Sequence, residues 1–271
     1  MENQKEYIVG IDLHGTLLNP EWEIDEELLP ELTEAINRVR DFCKVVLCTG
    51  NDLSFVEETV PEEVRDLLDG YVLETGCTMS EDGETEEPIV DVDTEVMMKD
   101  LEEKLIQAFE EGVFSEVDHF GKRLATISMF TIYKGKGVHP KFMQYRVENM
   151  VKALGYGDKV IVTRSDVAVD IIPIGHNKMT GLLELANGLK TIGIADSLND
   201  GPMIKYADHA YVPSNASTVL INELADSDEH MIVNIDSKSF PNAVKICTQT
   251  NTRAVIEALN HIADNLNPNK K

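Results

Sequence analysis

Two short apolar runs, Tyr7-Ile8-Val9-Gly10-Ile11 and Val45-Val46-Leu47-Cys48, flank one amphipathic stripe made by Leu28, Leu29, Leu32, Ala35, Ile36 and Val39. Runs of this length without polar alternation belong to strands buried on both faces. The stripe between them follows the three-and-four spacing of a helix with one apolar face. Pro30 fits the first turn of that helix better than its interior. Strand, helix and strand with short links form a βαβ unit, which requires a parallel sheet and a right-handed crossover. Gly70-Tyr71-Val72-Leu73 adds a further strand after a helix over part of 53–68.

The character changes from Ser80. A polar, acidic loop runs to Glu87, and Ile89-Val90 leads into a helical pattern through Val96, Met97, Leu101, Leu105 and Phe109. Leu124 to Tyr133 then reads as one long strand broken by Gly135 to Gly137, and Lys141 to Leu154 is helical again. Val160-Ile161-Val162 and Val167 to Ile172 close the segment as two strands. The α/β rhythm returns with a helix over Lys178 to Asn187, a strand over Thr191 to Ile194 and a short helix after Asp200. Ala210-Tyr211-Val212 and Met231-Ile232-Val233 are expected strands, and Thr252 to Leu266 a terminal helix. The expected fold is α/β: a Rossmann-like parallel-sheet core over 1–78 and 174–271, with an α+β domain inserted over 79–173.

The chain has 271 residues, 42% of them apolar, enough to bury a sizeable core. Its 24 basic and 49 acidic side chains leave a net charge of −25. Such a surface repels nucleic acid and anionic lipid, so neither is expected as a partner. Any phosphate site must then be made attractive locally, by a metal, a lysine and backbone amides. Cys43, Cys48, Cys77 and Cys247 form no C-x-x-C pair and no disulfide-like framework. The polar N-terminus does not read as a signal peptide, and no apolar stretch approaches membrane-spanning length, so a cytoplasmic protein is expected. Oligomeric state is not legible.

Four polar clusters follow the expected parallel strands, where open α/β sheets bind ligands. Asp12-Leu13-His14-Gly15-Thr16 presents a carboxylate on a tight glycine turn, a possible nucleophile on phosphorus. Taken alone, an Asp and a Gly simply ending a strand would read the same way. Thr49-Gly50-Asn51-Asp52 offers a hydroxyl and backbone amides at a helix start, suited to a phosphate oxygen or to an ordinary N-cap. Lys178 follows Gly175-His176-Asn177 and could neutralise a transferring phosphoryl group. Asp196-Ser197-Leu198-Asn199-Asp200 spaces two carboxylates four apart on a loop, as an oxygen-rich Mg²⁺ site does and as an Asp-rich turn also does.

Together, and in this order, the clusters resemble the haloacid dehalogenase superfamily. Its pattern is a strand followed by Asp-x-Asp-Gly-Thr, a strand ending in Thr or Ser, a later lysine, and a strand ending near Asp-x-x-x-Asp. The inserted domain is similar to the cap of the sugar-phosphate and phosphoglycolate phosphatase branch, with Glu74-Thr75-Gly76 in place of the usual Glu-Asn-Gly before it and Asn215-Ala216 late in the core. The resemblance implies that Asp12 attacks phosphorus while Thr49, Gly50, Lys178 and Asn199 surround the phosphoryl oxygens. It also implies Mg²⁺ held by the Asp12 carboxylate, the His14 carbonyl and Asp196, supported by Asp200. Lys122, Arg123 and Arg164 of the cap are candidates for gripping a second anionic group of a small phosphorylated metabolite, a sugar phosphate or a phosphoglycolate-like acid.

Two positions depart from the pattern. His14 stands where the family's phosphatases carry an acid/base Asp, and Ala195 where Gly usually precedes the first metal carboxylate. With an unperturbed pKa of about 6.5, histidine can act as a substitute acid and base. The alternatives are a weakened enzyme that passes its phosphoryl group to another acceptor, and a sensor of a phosphorylated ligand.

Overall fold

The computed structural model describes residues 5–133, 136–165, 167–227, 230–237 and 243–268. The chain forms two compact units, one from the residues up to Glu86 together with those from Asn177 onward, the other from Glu87–His176.

The first unit begins with β1 (Tyr7–Asp12), α1 (Leu29–Arg40), β2 (Cys43–Cys48), α2 (Leu53–Thr59), α3 (Glu62–Arg65), β3 (Tyr71–Leu73) and β4 (Thr78–Ser80), with the two-residue β5 (Glu87–Pro88) at the passage into the second unit. Pro30 occupies the first turn of α1, as its missing N–H allows. The helix expected over part of 53–68 is two helices, α2 and α3. Val60 adopts an extended conformation before Pro61, which disfavours helical backbone in the residue preceding it. Ser80, the first residue of the acidic stretch read as a loop, instead ends β4, which pairs antiparallel to β3.

The second unit contains α4 (Val92–Glu110), β6 (His119–Phe120), β7 (Ile127–Phe130), β8 (Ile132–Tyr133), β9 (Lys136–Gly137), α5 (Lys141–Ala153), β10 (Val160–Arg164) and β11 (Ala168–Pro173). Its four-stranded antiparallel sheet runs β10-β11-β7-β6. Ile127, Met129, Val169 and Ile171 project from one face of that sheet onto Leu101 and Leu105 of α4 and Val147 and Val151 of α5. The single strand expected over Leu124 to Tyr133 is interrupted at Thr131. There the N–H groups of Thr131 and Ile132 both donate to the Val167 carbonyl, at 3.0 and 3.2 Å, the two-against-one pairing of a bulge. Of the expected break at Gly135 to Gly137, Gly135 lies outside the described residues, and Lys136–Gly137 pairs with β8.

The first unit resumes with α6 (Lys178–Ala186), β12 (Lys190–Ile194), α7 (Gly201–Tyr206), β13 (His209–Val212), α8 (Thr218–Ala225), β14 (Met231–Asn234), β15 (Ala243–Ile246) and α9 (Asn251–Asn265). Neither α8 nor β15 is evident in the sequence pattern. Lys245 interrupts the apolar run of β15, and its ammonium is buried because it donates to the carbonyls of Ile235 and Ser237, each at 3.2 Å.

The sheet of this unit has the order β14-β15-β13-β12-β1-β2-β3-β4, with β5 at its edge. All its pairings from β14 to β3 are parallel. Both faces are covered. Val9 and Ile11 point towards Leu32 and Ile36 of α1 and Leu259 and Ile262 of α9. Ile8 points the other way, towards Leu182 of α6, Met203 of α7 and Leu220 of α8. The chain runs outward from β1 through β2 and β3, then returns to β12 on the opposite side of β1. This reversal is the switch point at which an open α/β sheet leaves a crevice at its strand ends.

Gly10 faces the α6 side at the centre of the sheet, where an added Cβ would lie 2.9 Å from Cys48 Sγ and 3.0 Å from a Leu182 methyl. Gly10→Val is therefore expected to destabilise the protein by about 1–3 kcal/mol through overpacking. The check is the urea midpoint at unchanged m-value.

Candidate active site

β1 ends at Asp12, and the chain turns at once. Leu17 N–H donates to the carbonyls of Asp12 and Leu13, at 3.2 and 3.0 Å, while Leu18 N–H donates to Leu13 O at 2.8 Å. Leu13, Leu17 and Leu18 anchor this turn in the core. Gly15 sits at its tip with φ +74°, and a Cβ there would lie 2.4 Å from Asp196 Oδ2, so only glycine fits. The turn is tied down by residues distant in sequence. Asn215 and Asn251 side chains donate to Gly15 O at 2.8 and 3.2 Å, Asn251 also to Leu18 O at 2.9 Å, and Thr252 Oγ1 to Leu17 O at 2.7 Å. Asn215 belongs to the late Asn215-Ala216 pair. Nothing in the local pattern of Asn251 or Thr252 announces this task.

Lys178 is the first residue of α6, whose N-cap Asn177 makes a capping box with Thr180. Its ammonium is buried and contacts the carboxylates of both Asp12 and Asp200. Asp200 lies on a single helical turn, Leu198–Asp200, is fully buried, and accepts a 2.6 Å hydrogen bond from the Ser197 hydroxyl. Asp196 follows β12 and accepts a hydrogen bond from Thr16 Oγ1 at 3.2 Å. Ser217 N–H holds the Asp196 carbonyl at 2.8 Å. Asp12, Asp196 and Asp200 each offer a carboxylate oxygen within 4.8 Å of the others.

This arrangement is short of positive charge. Burial, then repulsion from Asp200, pushes the Asp12 carboxyl up to about 8 despite the opposing pull of Lys178. Burial and Asp200 likewise raise Asp196 to about 6. Burial alone would lower Lys178, but Asp12 and Asp200 more than offset it and hold the ammonium charged. Three converging hard oxygen donors with one lysine among them suit a divalent cation.

Thr49 follows β2, is buried, and its N–H donates to Val72 O at 2.8 Å. Its Oγ1 accepts from the Asn51 N–H at 3.2 Å. Gly50 and Asn199 are exposed, one after β2 and the other on the turn that carries Asp200. The Glu74-Thr75-Gly76 turn is joined to this loop, with Glu74 N–H on Asn51 O and Thr75 N–H on Thr49 O, both 3.0 Å.

His14 is half-buried, and its Nδ1 lies 3.5 Å from the Asn51 side-chain amide. Burial, then the charge of Lys178, lowers its pKa to about 4, so the ring is neutral at pH 7. It packs against Trp22 and Phe55, with ring centroids 5.1 and 5.2 Å away. Neither aromatic residue stands out among the chemistry-bearing clusters of the sequence. In the second unit, Lys122 is exposed, Arg123 Nε donates to Ser128 Oγ at 3.4 Å, and the exposed Arg164 donates to the Gln144 side chain. The four free cysteines are buried, as expected for Cys48.

A family model for haloacid dehalogenase-like hydrolases matches residues 103–230. No curated protein matches the chain in sequence. Among solved structures, a Thermoplasma acidophilum protein is similar with TM-score 0.64 at 15% identity, covering 95% of this chain and 98% of the other. The sucrose-phosphatase of Synechocystis, solved with sucrose and phosphate, aligns with TM-score 0.63 at 18% identity, covering 96% and 98%. A haloacid dehalogenase-like hydrolase from Bacteroides thetaiotaomicron gives 0.62 at 16%, covering 95% and 99%. The chain shares the fold of these three proteins over nearly its whole length. Among the described residues no helix is long and apolar enough to cross a membrane.

The raised carboxyl pKa values set a stability signature. The unfolded chain releases the Asp12 and Asp196 protons near 3.8, whereas the folded chain keeps them to about 8 and about 6. Stability from these groups therefore falls as pH rises between those limits. Asp12→Asn removes the larger part of this loss. In EDTA, its melting temperature is expected to exceed wild type by a margin that grows from pH 5 to pH 8, as read by calorimetry.

Proposed function

We propose that the chain is a Mg²⁺-dependent phosphomonoester hydrolase acting on a small phosphorylated metabolite through an aspartyl-phosphate on Asp12. One observation carries this reading: a buried carboxylate at the end of the central parallel strand, shared through Lys178 with Asp200 and facing Asp196. The chain's −25 charge works against an anionic substrate at long range, so attraction must be local. Asp12, Asp196 and the carbonyl of His14 would hold Mg²⁺, with Asp200 in support. When bound, the ion would supply the positive charge that the three carboxylates lack and would polarise a phosphoryl oxygen.

In the first step an Asp12 carboxylate oxygen attacks phosphorus as the ester oxygen departs with the bonding electrons and takes up a proton from solvent water. Lys178 stabilises the phosphoryl charge, and the Thr49 hydroxyl, the Gly50 amide and Asn199 would hold its oxygens. Water then attacks the acyl phosphate, releasing phosphate and restoring Asp12. In this step neutral His14 can accept the proton of the attacking water. The same neutrality makes it a poor proton donor to the departing ester oxygen, which slows formation of the aspartyl-phosphate.

With Mg²⁺, wild-type protein is expected to release phosphate from small phosphomonoesters, with EDTA abolishing release and Mg²⁺ restoring it. Asp12→Asn should lower turnover on the order of 10⁴-fold or more, and full activity in that variant would refute the mechanism. Capture of the phosphoryl group by added alcohols, at the expense of free phosphate, would instead identify a phosphotransferase. His14→Asp supplies the family's own acid/base group, so turnover at neutral pH should be kept or raised. A large loss would assign the histidine a role that a carboxylate cannot fill.

A further inference from the structure

Trp22 is the chain's single tryptophan, and the structure spends backbone conformation to place it. Its φ is +66°, in the left-handed region that bulky residues avoid at a cost of about 1–3 kcal/mol. The loop around it is built to hold that conformation. Asn19 Oδ1 accepts the N–H groups of Glu21 and Glu23, both at 3.0 Å, Asn19 N–H donates to Glu23 O at 2.9 Å, and Trp22 N–H donates to Asn19 O at 3.0 Å. The side chain so placed is not a core residue, for it remains 46% exposed.

It stands instead against His14, two residues after Asp12. Trp22 meets the imidazole of His14 edge-on at 81° and Phe55 at 68°, with centroids 5.1 and 6.1 Å away. His14 and Phe55 complete the triangle at 5.2 Å. His14 is two residues beyond Asp12, and its Nδ1 lies 3.5 Å from the Asn51 amide in the loop that carries Thr49. An aromatic wall with a polar edge thus lies between the turn after Asp12 and the loop that carries Thr49.

We propose that Trp22, backed by His14 and Phe55, is a specificity-determining platform for the ring of a phosphorylated sugar, selecting cyclic sugar phosphates over acyclic phosphate esters. This rests on the phosphatase reading above and narrows its substrate class. The C–H face of a sugar ring is apolar and packs on the face of an indole, while its hydroxyls need hydrogen-bond partners at the margin. The Asn51 amide and the His14 ring nitrogen, paired with each other at 3.5 Å, form a polar margin beside the wall, the mix of apolar surface and few polar groups that small-molecule sites use. An acyclic ester such as glycerol phosphate or phosphoglycolate presents no ring to the wall and gains little from it.

The test compares kcat/KM for a hexose 6-phosphate and for glycerol phosphate in wild type, Trp22→Ala and Trp22→Phe with Mg²⁺. The ratio between the two esters is expected to fall about tenfold in Trp22→Ala, the scale of one lost ring contact, and to be largely kept in Trp22→Phe. A ratio unmoved by Trp22→Ala overturns the platform while leaving the phosphatase reading intact. A loss confined to nucleoside monophosphates overturns the assignment to sugars. Because Trp22 is the sole tryptophan, its fluorescence in the Asp12→Asn variant reports occupancy without turnover. A saturable change with hexose 6-phosphate that glycerol phosphate does not produce supports the platform even if no ester is hydrolysed, an outcome that would remove the phosphatase reading alone. No difference between the two compounds would overturn the platform.

Discussion

The contact of the Lys178 ammonium with Asp12 and Asp200 is the constraint around which the first unit is arranged. A buried lysine needs partners, and a buried carboxylate needs a counter-charge. These requirements meet only if the end of β1, the first turn of α6 and the turn after β12 converge. Each is positioned independently: β1 by parallel pairing on both sides, α6 by its Asn177 capping box, and the Asp200 turn by the Ser197 hydroxyl. The convergence gathers three carboxylates around one ammonium, a deficit of positive charge that a divalent cation would fill. Stability in the absence of metal is lowered by the same groups that would make the site reactive.

A second constraint acts on the turn after Asp12. A glycine at φ +74° cannot hold a loop by its own side chain, so the loop's carbonyls are gripped from outside by Asn215, Asn251 and Thr252. These grips join the two ends of the chain, because α9 packs beside α1 on one sheet face while the loop above them closes over the strand end. Asn251 itself has φ +47°, a conformation that asparagine tolerates better than most residues. The placement of Asp12 is thus a property of the whole core unit.

His14 shows how far environment reshapes a residue's chemistry. Its position two residues after Asp12 invites an acid/base role at the ordinary histidine pKa. Burial beside Trp22 and Phe55, with Lys178 close by, favours the neutral ring instead. A neutral imidazole can accept protons and pack against aromatic rings, which ties the acid/base question to the aromatic wall. The wall depends on a loop geometry that Asn19 stabilises through backbone hydrogen bonds, and no periodicity in the sequence encodes that geometry.

Much of the core was legible because it rests on local pattern: the apolar run of β1, the stripe of α1, the Pro at its start, and the polar clusters at parallel-strand ends that mark Asp12, Thr49, Asp196 and Asp200. Lys178, expected at such an end too, instead opens α6 after the antiparallel β11. Where pattern and burial part company, the sequence misled or was silent. Lys245 hid β15 because a buried ammonium satisfied by carbonyls looks like a surface charge. Thr131 concealed a bulge because one shared carbonyl acceptor leaves no compositional trace. The sequence by itself determined the α/β class, the parallel strands and the chemical types gathered at their ends, since these follow from periodicity and spacing along the chain. Only the tertiary structure decided the charge deficit among Asp12, Asp196 and Asp200, the neutral state of His14, the exposure of Trp22 and the clamping of Gly15 by Asn251, because each depends on distances between residues that the chain keeps far apart.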